Sequence, residues 1–250
     1  MGKQDTEKQW LQLMEYINKY ITGSRKEQLI KMYETLSEKI LTAPASSHST
    51  RHNCFPGGYI DHVNRVVKCA ITLFETWTQS GAGTNKFSIE ELVFAAINHD
   101  LGKIGSRTMD YYVPNDSKWH VERGQIYKIN GALTFMKVPD RSLFTLQEFG
   151  IKVSENEYLA IKLHDGLYSK GNESYYMAGQ PEFALKNDMP ILLHHADHMA
   201  TLIEGNIAHS PEVVEVPSTP SRMKTNMTNI NNPVADENLK SAFDKIFGDT

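Results

Sequence analysis

Apolar residues recur at helical spacing along most of this chain. Trp10, Leu13, Met14, Ile17 and Ile21 fall on one helical face, and the pattern stops at Gly23, a residue suited to end a helix. A second stripe, Leu29, Ile30, Tyr33, Leu36 and Ile40, follows a capping-box pair, Ser24 and Glu27, and closes at Ala43-Pro44. Together they predict a helical hairpin over residues 1–45. The stretch TAPASSHSTRHNCFPGG reads as a loop, and its Pro56-Gly57-Gly58 delivers the chain into a helix from about Tyr59 to Trp77. Ser88 and Glu91 form another capping box, which opens a helix through Leu92, Val93, Ala95, Ala96 and Ile97 to His99-Asp100.

Residues 102–139 are less regular, rich in Gly, Pro, Asn and Asp with Tyr111, Tyr112, Trp119 and Tyr127 interleaved, as in a functional loop. A short helix is predicted from Arg141 to Phe149, and Ser154 with Glu157 caps another that reaches His164. After the polar insert HDGLYSKGNESYY, the run PILLHHADHMATLIE predicts a buried helix. No segment sustains period-two alternation, so the fold class is all-α or nearly so. Beyond about Gly205 the text turns to VEVPSTPSRMKTNMTNINNP, the composition of a linker or extended arm. Leu239, Phe243, Ile246 and Phe247 then mark a short amphipathic helix that docks on its own core or on a neighbouring copy, making a homo-oligomer. The expected organisation is an N-terminal hairpin (1–45), a main domain (46–205) and an arm (206–250).

With 250 residues, 40% of them hydrophobic, the chain can bury one good core. A formal charge of −4 supplies no broad basic field for duplex nucleic acid. Cys54 and Cys69 are too few for a disulfide framework and read as reduced thiols. No apolar run approaches the ~20 residues of a membrane span. The expectation is a cytoplasmic protein with no membrane partner.

The string His99-Asp100-Leu101-Gly102-Lys103 carries the most chemistry. Adjacent helical residues do not share a face, yet at a helix terminus both can turn toward one ion. An imidazole and a carboxylate suit a divalent ion such as Mn, Fe, Co or Zn without selecting among them. Such a pair is also common as a capping Asp beside a core His. Asp197 sits in the buried-looking helix Leu192 to Leu202, where an unpaired carboxylate is costly; a metal would account for it, as would a solvent-facing position or a Lys or Arg partner. Arg65 and Arg141 are candidate phosphate clamps, because a guanidinium binds oxyanions in bidentate fashion, although a surface ion pair is the more ordinary role for each. Lys118, Trp119, Arg123, Tyr127 and Lys128 offer a basic-aromatic stretch that could stack and clamp a base, Trp119 among the candidate substrate contacts, and that ordinary loop packing explains equally well.

The order His62, His99-Asp100, Asp197 resembles the H…HD…D signature of the HD-domain superfamily of metal-dependent phosphohydrolases, and HDLGK resembles the HDIGK form of many members. GGYIDH is similar to the GGLLEH-type sequence of members that include a 3′-to-5′ exoribonuclease group, and LHHADHMA resembles their LHYADxLDA-type last motif. The resemblance spans roughly Arg51 to Glu204. It implies an HD-domain-like helical bundle in which His62, His99, Asp100 and Asp197 ligate one metal and Asp100 bridges to a second. The ion would be Mn, Fe, Co, Zn, Ni or Mg, one or two per site. His120 and His164 are the candidates for further ligands, and one of His194, His195 and His198 could reach the site. His52 matches the histidine that precedes GG in relatives and, with His164, is a candidate substrate contact.

The implied reaction is hydrolysis of a phosphate ester or anhydride of a nucleotide or a nucleic-acid 3′ end by metal-activated water. Asp100 and Lys103 are the candidate catalytic residues, Lys103 also as a phosphate contact. Two departures narrow the comparison. No GYP motif stands near His164, which disfavours the cyclic-di-GMP branch, and no oligonucleotide-binding module precedes the domain. Two rivals stand beside this reading: a di-iron oxygenase, which would need both His120 and His164 as ligands, and a non-catalytic module stabilised by its metal.

Overall fold

The computed structural model describes residues 3–209, a mainly helical fold with a single small hairpin of strands among the described residues. The arm and the short terminal helix expected beyond residue 209 lie outside the described residues. The first helix, α1 (Lys3–Tyr20), buries Trp10, Leu13 and Ile17 as its spacing predicts. The single helix expected next is two, α2 (Gly23–Thr35) and α3 (Ser37–Thr42), hinged at Leu36, which leaves helical dihedrals (φ −100°, ψ 8°) while staying buried. The Ser24–Glu27 capping box does not form. Thr22 is the N-cap, and its hydroxyl and N–H are taken by the Glu90 carboxylate at 2.8 and 3.2 Å, which ties this helix start to another helix.

Helix α4 (Gly58–Gln79) owes its start to two glycines with different duties. Gly57 has φ +80°, a left-handed conformation costly for other residues, and a Cβ on Gly58 would lie 2.0 Å from the Asn53 carbonyl oxygen. That tight entry sets His62 one turn inside the helix. Helix α5 (Ile89–Asn98) starts on the predicted Ser88–Glu91 capping box and buries every residue from Leu92 to Asn98. The stretch expected to be irregular holds an antiparallel pair, β1 (Tyr112–Pro114) and β2 (Tyr127–Ile129), with Val113 opposite Lys128 and the short α6 (Lys118–Glu122) at its tip. Then follow α7 (Val138–Glu148), α8 (Glu155–Leu163) on the predicted Ser154–Glu157 box, α9 (Glu173–Tyr176) and α10 (Met189–His209). Helix α10 continues four residues past the expected start of the arm, because Ile207 and its neighbours keep helical geometry.

Helix α4 packs against α5 and α10, α8 packs against α5 and α10, and α1 covers α4 and α5. One apolar cluster runs through all of them, from Trp10 and Leu13 to Leu193 and Ala200, so the N-terminal helices share the core of the rest. Arg25 on α2 adds a polar clasp: its guanidinium contacts Glu157 at 2.6 Å and Glu90 at 2.8 Å, joining the starts of α5 and α8. No described helix is long and apolar enough to cross a membrane.

Candidate metal centre

Two helices end where two others pass. Helix α5 delivers His99 at its C-cap with Asp100 next, and α8 delivers His164 at its C-cap, while His62 comes from the side of α4 and Asp197 from the side of α10. The C-terminus of a helix carries the negative end of its dipole, so both endings favour a cation. His62, His99, Asp100 and His164 are each at most 2% exposed.

The imidazoles are held by one ring nitrogen and present the other. His99 Nδ1–H donates to the Ala96 carbonyl and His164 Nδ1–H to the Ile161 carbonyl, both at 2.8 Å. His62 Nδ1 lies 3.1 and 3.2 Å from the two Glu204 carboxylate oxygens. With Nδ1 protonated, a neutral ring turns its Nε2 lone pair to the centre, as metal-binding histidines do. There His62 Nε2 stands 3.2 Å from Asp197 Oδ1 and 3.5 Å from Asp100 Oδ2, and His99 Nε2 stands 3.4 Å from the same Asp100 oxygen. Asp100 Oδ1 faces the other way, 3.6 Å from His164 Nε2. Despite this proximity, the buried Nε2 atoms of His62 and His99 make no hydrogen bond.

Lone pairs and carboxylate oxygens this close repel unless positive charge sits among them. The same demand appears in the proton affinities. Burial opposes a charged His62 ring, but Glu204, Asp100 and Asp197 outweigh it and hold its pKa well above the usual histidine range. His164 is raised to about 9 against the opposing effect of burial, by Asp100 and Asp165. Burial alone would raise Asp100, yet Lys103 and the surrounding histidines keep it well below the usual carboxylate range. A divalent ion meets this demand directly: His62, His99 and Asp100 form one group, and His99, His164 and Asp197 another, each with ligand atoms within 4.8 Å of one another. The buried His and Asp groups can therefore hold a metal ion.

Beside them opens a cleft of about 370 Å³, lined by His52, Asp100, Lys103, Tyr111, Phe135, Lys137, His164 and Asp197 among others. A larger hollow of about 510 Å³ between α7 and the start of α8 holds none of the clustered groups. Lys103 Nζ sits 2.6 Å from Asp100 Oδ2; burial works against its charge, but Asp100 holds it firmly protonated. The His52 ring lies 4.8 Å from the His62 ring with its Nε2 buried and unpartnered. Burial, then His62 and Lys103, push His52 down to about 3, so it is neutral at pH 7.

Other expected site residues stand elsewhere. Arg141 is 4% exposed, is not in the cleft lining and donates to the Thr134 carbonyl, so its guanidinium is engaged within the fold. Arg65 is spent on Asp61 and Glu204, at 3.2 and 3.1 Å, and thereby fixes the carboxylate that holds His62. Trp119 and His120 lie on exposed α6, away from the cleft lining, where the Arg123 guanidinium covers the indole at 3.7 Å. Of the three histidines on α10, His194 touches a clustered residue through its backbone: its Nδ1–H donates to the His164 carbonyl at 2.7 Å. His195 packs edge-on to Trp77, and His198 stacks on Tyr168.

Glu204 was not singled out by the sequence reading, although the signal was there. It lies two turns beyond Asp197 on α10, hence on the same face, and is 2% exposed. Ser142 is a second such residue: its hydroxyl lies 2.9 Å from the His99 carbonyl and accepts from Gly102 N–H at 2.8 Å, pinning the HDLGK turn to α7.

Comparison with protein-family models, with curated proteins and with solved structures returns no match.

Proposed function

We propose that the chain is a metal-dependent phosphohydrolase that acts on a nucleotide or a nucleic-acid 3′ end. One observation carries this reading: the unpartnered Nε2 atoms of His62 and His99 meet the carboxylates of Asp100 and Asp197 beside a cleft that also presents the Lys103 ammonium. The order and flanks of these residues, similar to the HD-domain pattern, support it.

When bound, a divalent ion such as Mn, Fe, Co, Zn, Ni or Mg acidifies its water and polarises a phosphoryl oxygen. The chain's own groups divide the remaining work. Asp100 reaches the His62–His99 side with one oxygen and the His164 side with the other, so it is the residue that could serve two ions. Lys103, kept charged by Asp100, offers a donor to a phosphate oxygen and offsets charge on the leaving group. His52, neutral and unpartnered at Nε2, can accept a hydrogen bond. The oxygenase alternative needs His120 as well as His164, and His120 stands on exposed α6.

The test is release of phosphate or nucleoside from nucleotides, cyclic nucleotides and short oligonucleotides with Mn, Co, Mg or Fe, comparing wild type with Asp100→Ala. Metal-dependent turnover lost in the variant is the expected result; a folded, metal-replete wild type without turnover would overturn the reading.

A further inference from the structure

Phe135 is the most solvent-exposed large apolar side chain among the described residues, at 82%, and it stands on the rim of the cleft that holds Asp100, His164 and Asp197. A phenyl ring left in water forgoes the gain of burial, and a slack loop would usually fold it inward. The segment that carries it is not slack. Leu133 N–H bonds to the Asn130 carbonyl at 3.1 Å, and the buried Arg141 guanidinium holds the Thr134 carbonyl, one residue from Phe135. Two residues further on, Lys137 Nζ crosses to the Lys170 carbonyl at 3.0 Å and lies 3.4 Å from Ser169 Oγ. The next residue is packed onto the metal-ligand turn: a Cβ on Gly102 would lie 2.3 Å from the Val138 carbonyl oxygen. Ser142 then ties the same helix to the His99 carbonyl at 2.9 Å. The exposed ring is thus held on a braced segment whose position relative to His99 and Asp100 is fixed.

The neighbouring charges say what such a ring would meet. Lys103 and Lys137 line the cleft together with Asp100, Asp165 and Asp197, whose negative charge a bound divalent ion would offset, and an ammonium has three donors, of which Lys137 directs at most two at Ser169 and Lys170. A ligand matching this wall is anionic at one end and flat and apolar-faced at the other. At about 370 Å³ the cleft falls within the range of small-molecule sites, roughly 300–1,000 Å³.

We propose that Phe135 is the platform on which the substrate's base stacks, so that the ligand is a nucleoside phosphate with its phosphate toward Asp100, Asp197 and Lys103 and its base flat on the Phe135 ring. This inference deepens the phosphohydrolase reading and rests on it for the position of the phosphate. Phe135 is a specificity-determining residue: stacking tolerates any base, so it selects base-bearing over base-free phosphoesters.

The experiment titrates the full-length protein, with Mn present, against two ligands by calorimetry. Adenosine 5′-O-thiomonophosphate is a slowly hydrolysed nucleotide, and ribose 5-phosphate shares its sugar and lacks the base. Wild type is expected to bind the nucleotide more tightly. Phe135→Ala should weaken nucleotide binding about five- to hundredfold, the span of one lost stacking contact, and leave ribose 5-phosphate within about twofold. Phe135→Trp should retain nucleotide binding. Because the ring is exposed, an unchanged melting temperature in Phe135→Ala separates this effect from misfolding. Equal loss for both ligands, no loss for either, or a wild type that does not prefer the nucleotide overturns the proposal. Base-selective binding that depends on Phe135, in a protein that hydrolyses no phosphoester, upholds it and overturns the hydrolase reading instead.

Discussion

His99 and His164 occupy the same station on two packed helices. Each is a C-cap, each bonds Nδ1 to the carbonyl three residues back at 2.8 Å, and each is followed by an aspartate and a 3₁₀ turn. Their helices also begin alike, on the Ser88–Glu91 and Ser154–Glu157 capping boxes. Ser-x-x-Glu at one end and His-Asp at the other thus makes two similar rods whose ends bring Nε2 atoms to one place.

If the centre binds a divalent ion, adding Mn, Co or Zn to metal-stripped protein should raise its melting temperature. The stabilisation approaches about 2.7 kcal/mol when the free ion is at one hundred times its Kd. A chelator should reverse it. Asp100→Ala should lose the increment, because its carboxylate contacts both sides of the cluster. Differential scanning calorimetry of the two proteins, with and without ion, checks this.

Glu204 orients a candidate ligand, His62, without belonging to the cleft lining. Its oxygens hold His62 Nδ1, and Arg65 holds Glu204 at 3.1 Å. Replacing such a supporting partner typically costs ~10- to 100-fold in metal affinity. Glu204→Gln, which keeps the shape and removes the charge, should show a loss of that size in a competition titration against a chromogenic chelator. Unchanged affinity would mean that the His62 ring is fixed by packing alone.

Glu91 should make stability fall in acid. Burial pushes its carboxyl up, but the Ser88 N–H, the Ser154 hydroxyl, the Asn156 amide and the Ser88 hydroxyl outweigh this, so its folded pKa lies below 4.5. A depressed carboxylate contributes stability that is present above the unfolded value and is lost as pH falls through the folded value. Glu91→Gln should therefore melt below wild type at neutral pH, and the two curves should converge in acid as wild type becomes protonated. A melting-temperature series from about pH 7 down to about pH 3 reads the convergence.

Arg25→Met should be strongly destabilising. Glu157 has no side-chain exposure and faces Arg25 at 2.6 Å. Removing one partner of a buried pair costs about 3–5 kcal/mol, whereas replacing both with uncharged groups is far milder. Urea unfolding should show Arg25→Met/Glu157→Gln recovering much of the loss. A double variant no better than the single one would place the effect in packing, since the Arg25 guanidinium also lies 4.4 Å from the centre of the Phe94 ring.

What the sequence disclosed and what it concealed divide along a physical line. Helical spacing and capping boxes are local, so α1, α4, α5, α8 and α10 were legible, as was the near absence of strands. His99-Asp100 and Asp197 could be nominated from the residues, as an imidazole–carboxylate pair and an acid in an apolar helix, whereas His62 joined them through the resemblance in motif order. Long-range partners were not legible. Thr22 gave its hydroxyl to Glu90, 68 residues away, and so displaced a plausible Ser24–Glu27 box. Arg65 and Arg141 have the right charge for a phosphate, yet Glu204 and the Thr134 carbonyl claim them. Trp119 was nominated by the basic-aromatic composition and His120 by the resemblance, but the β1–β2 pairing carries both to an exposed tip.

The Arg25 clasp and the bridging Glu91, whose Oε1 accepts from Ser154 and Asn156, act at the starts of α5 and α8, and the imidazoles stand at their ends. At 1.5 Å of rise per residue, helices of 10 and 9 residues separate the two ends by roughly 14 Å. The pair is laid out like a caliper: the fulcrum is at the polar edge, the jaws are His99 and His164, and contacts at the fulcrum act on the gap together with Ser142 and His194 at the jaws. A substitution that loosens the fulcrum would widen or skew that gap while leaving every metal-facing atom in the sequence unchanged. Where such a protein still folds, its motif would be intact and its fit to a bound ion would be poorer.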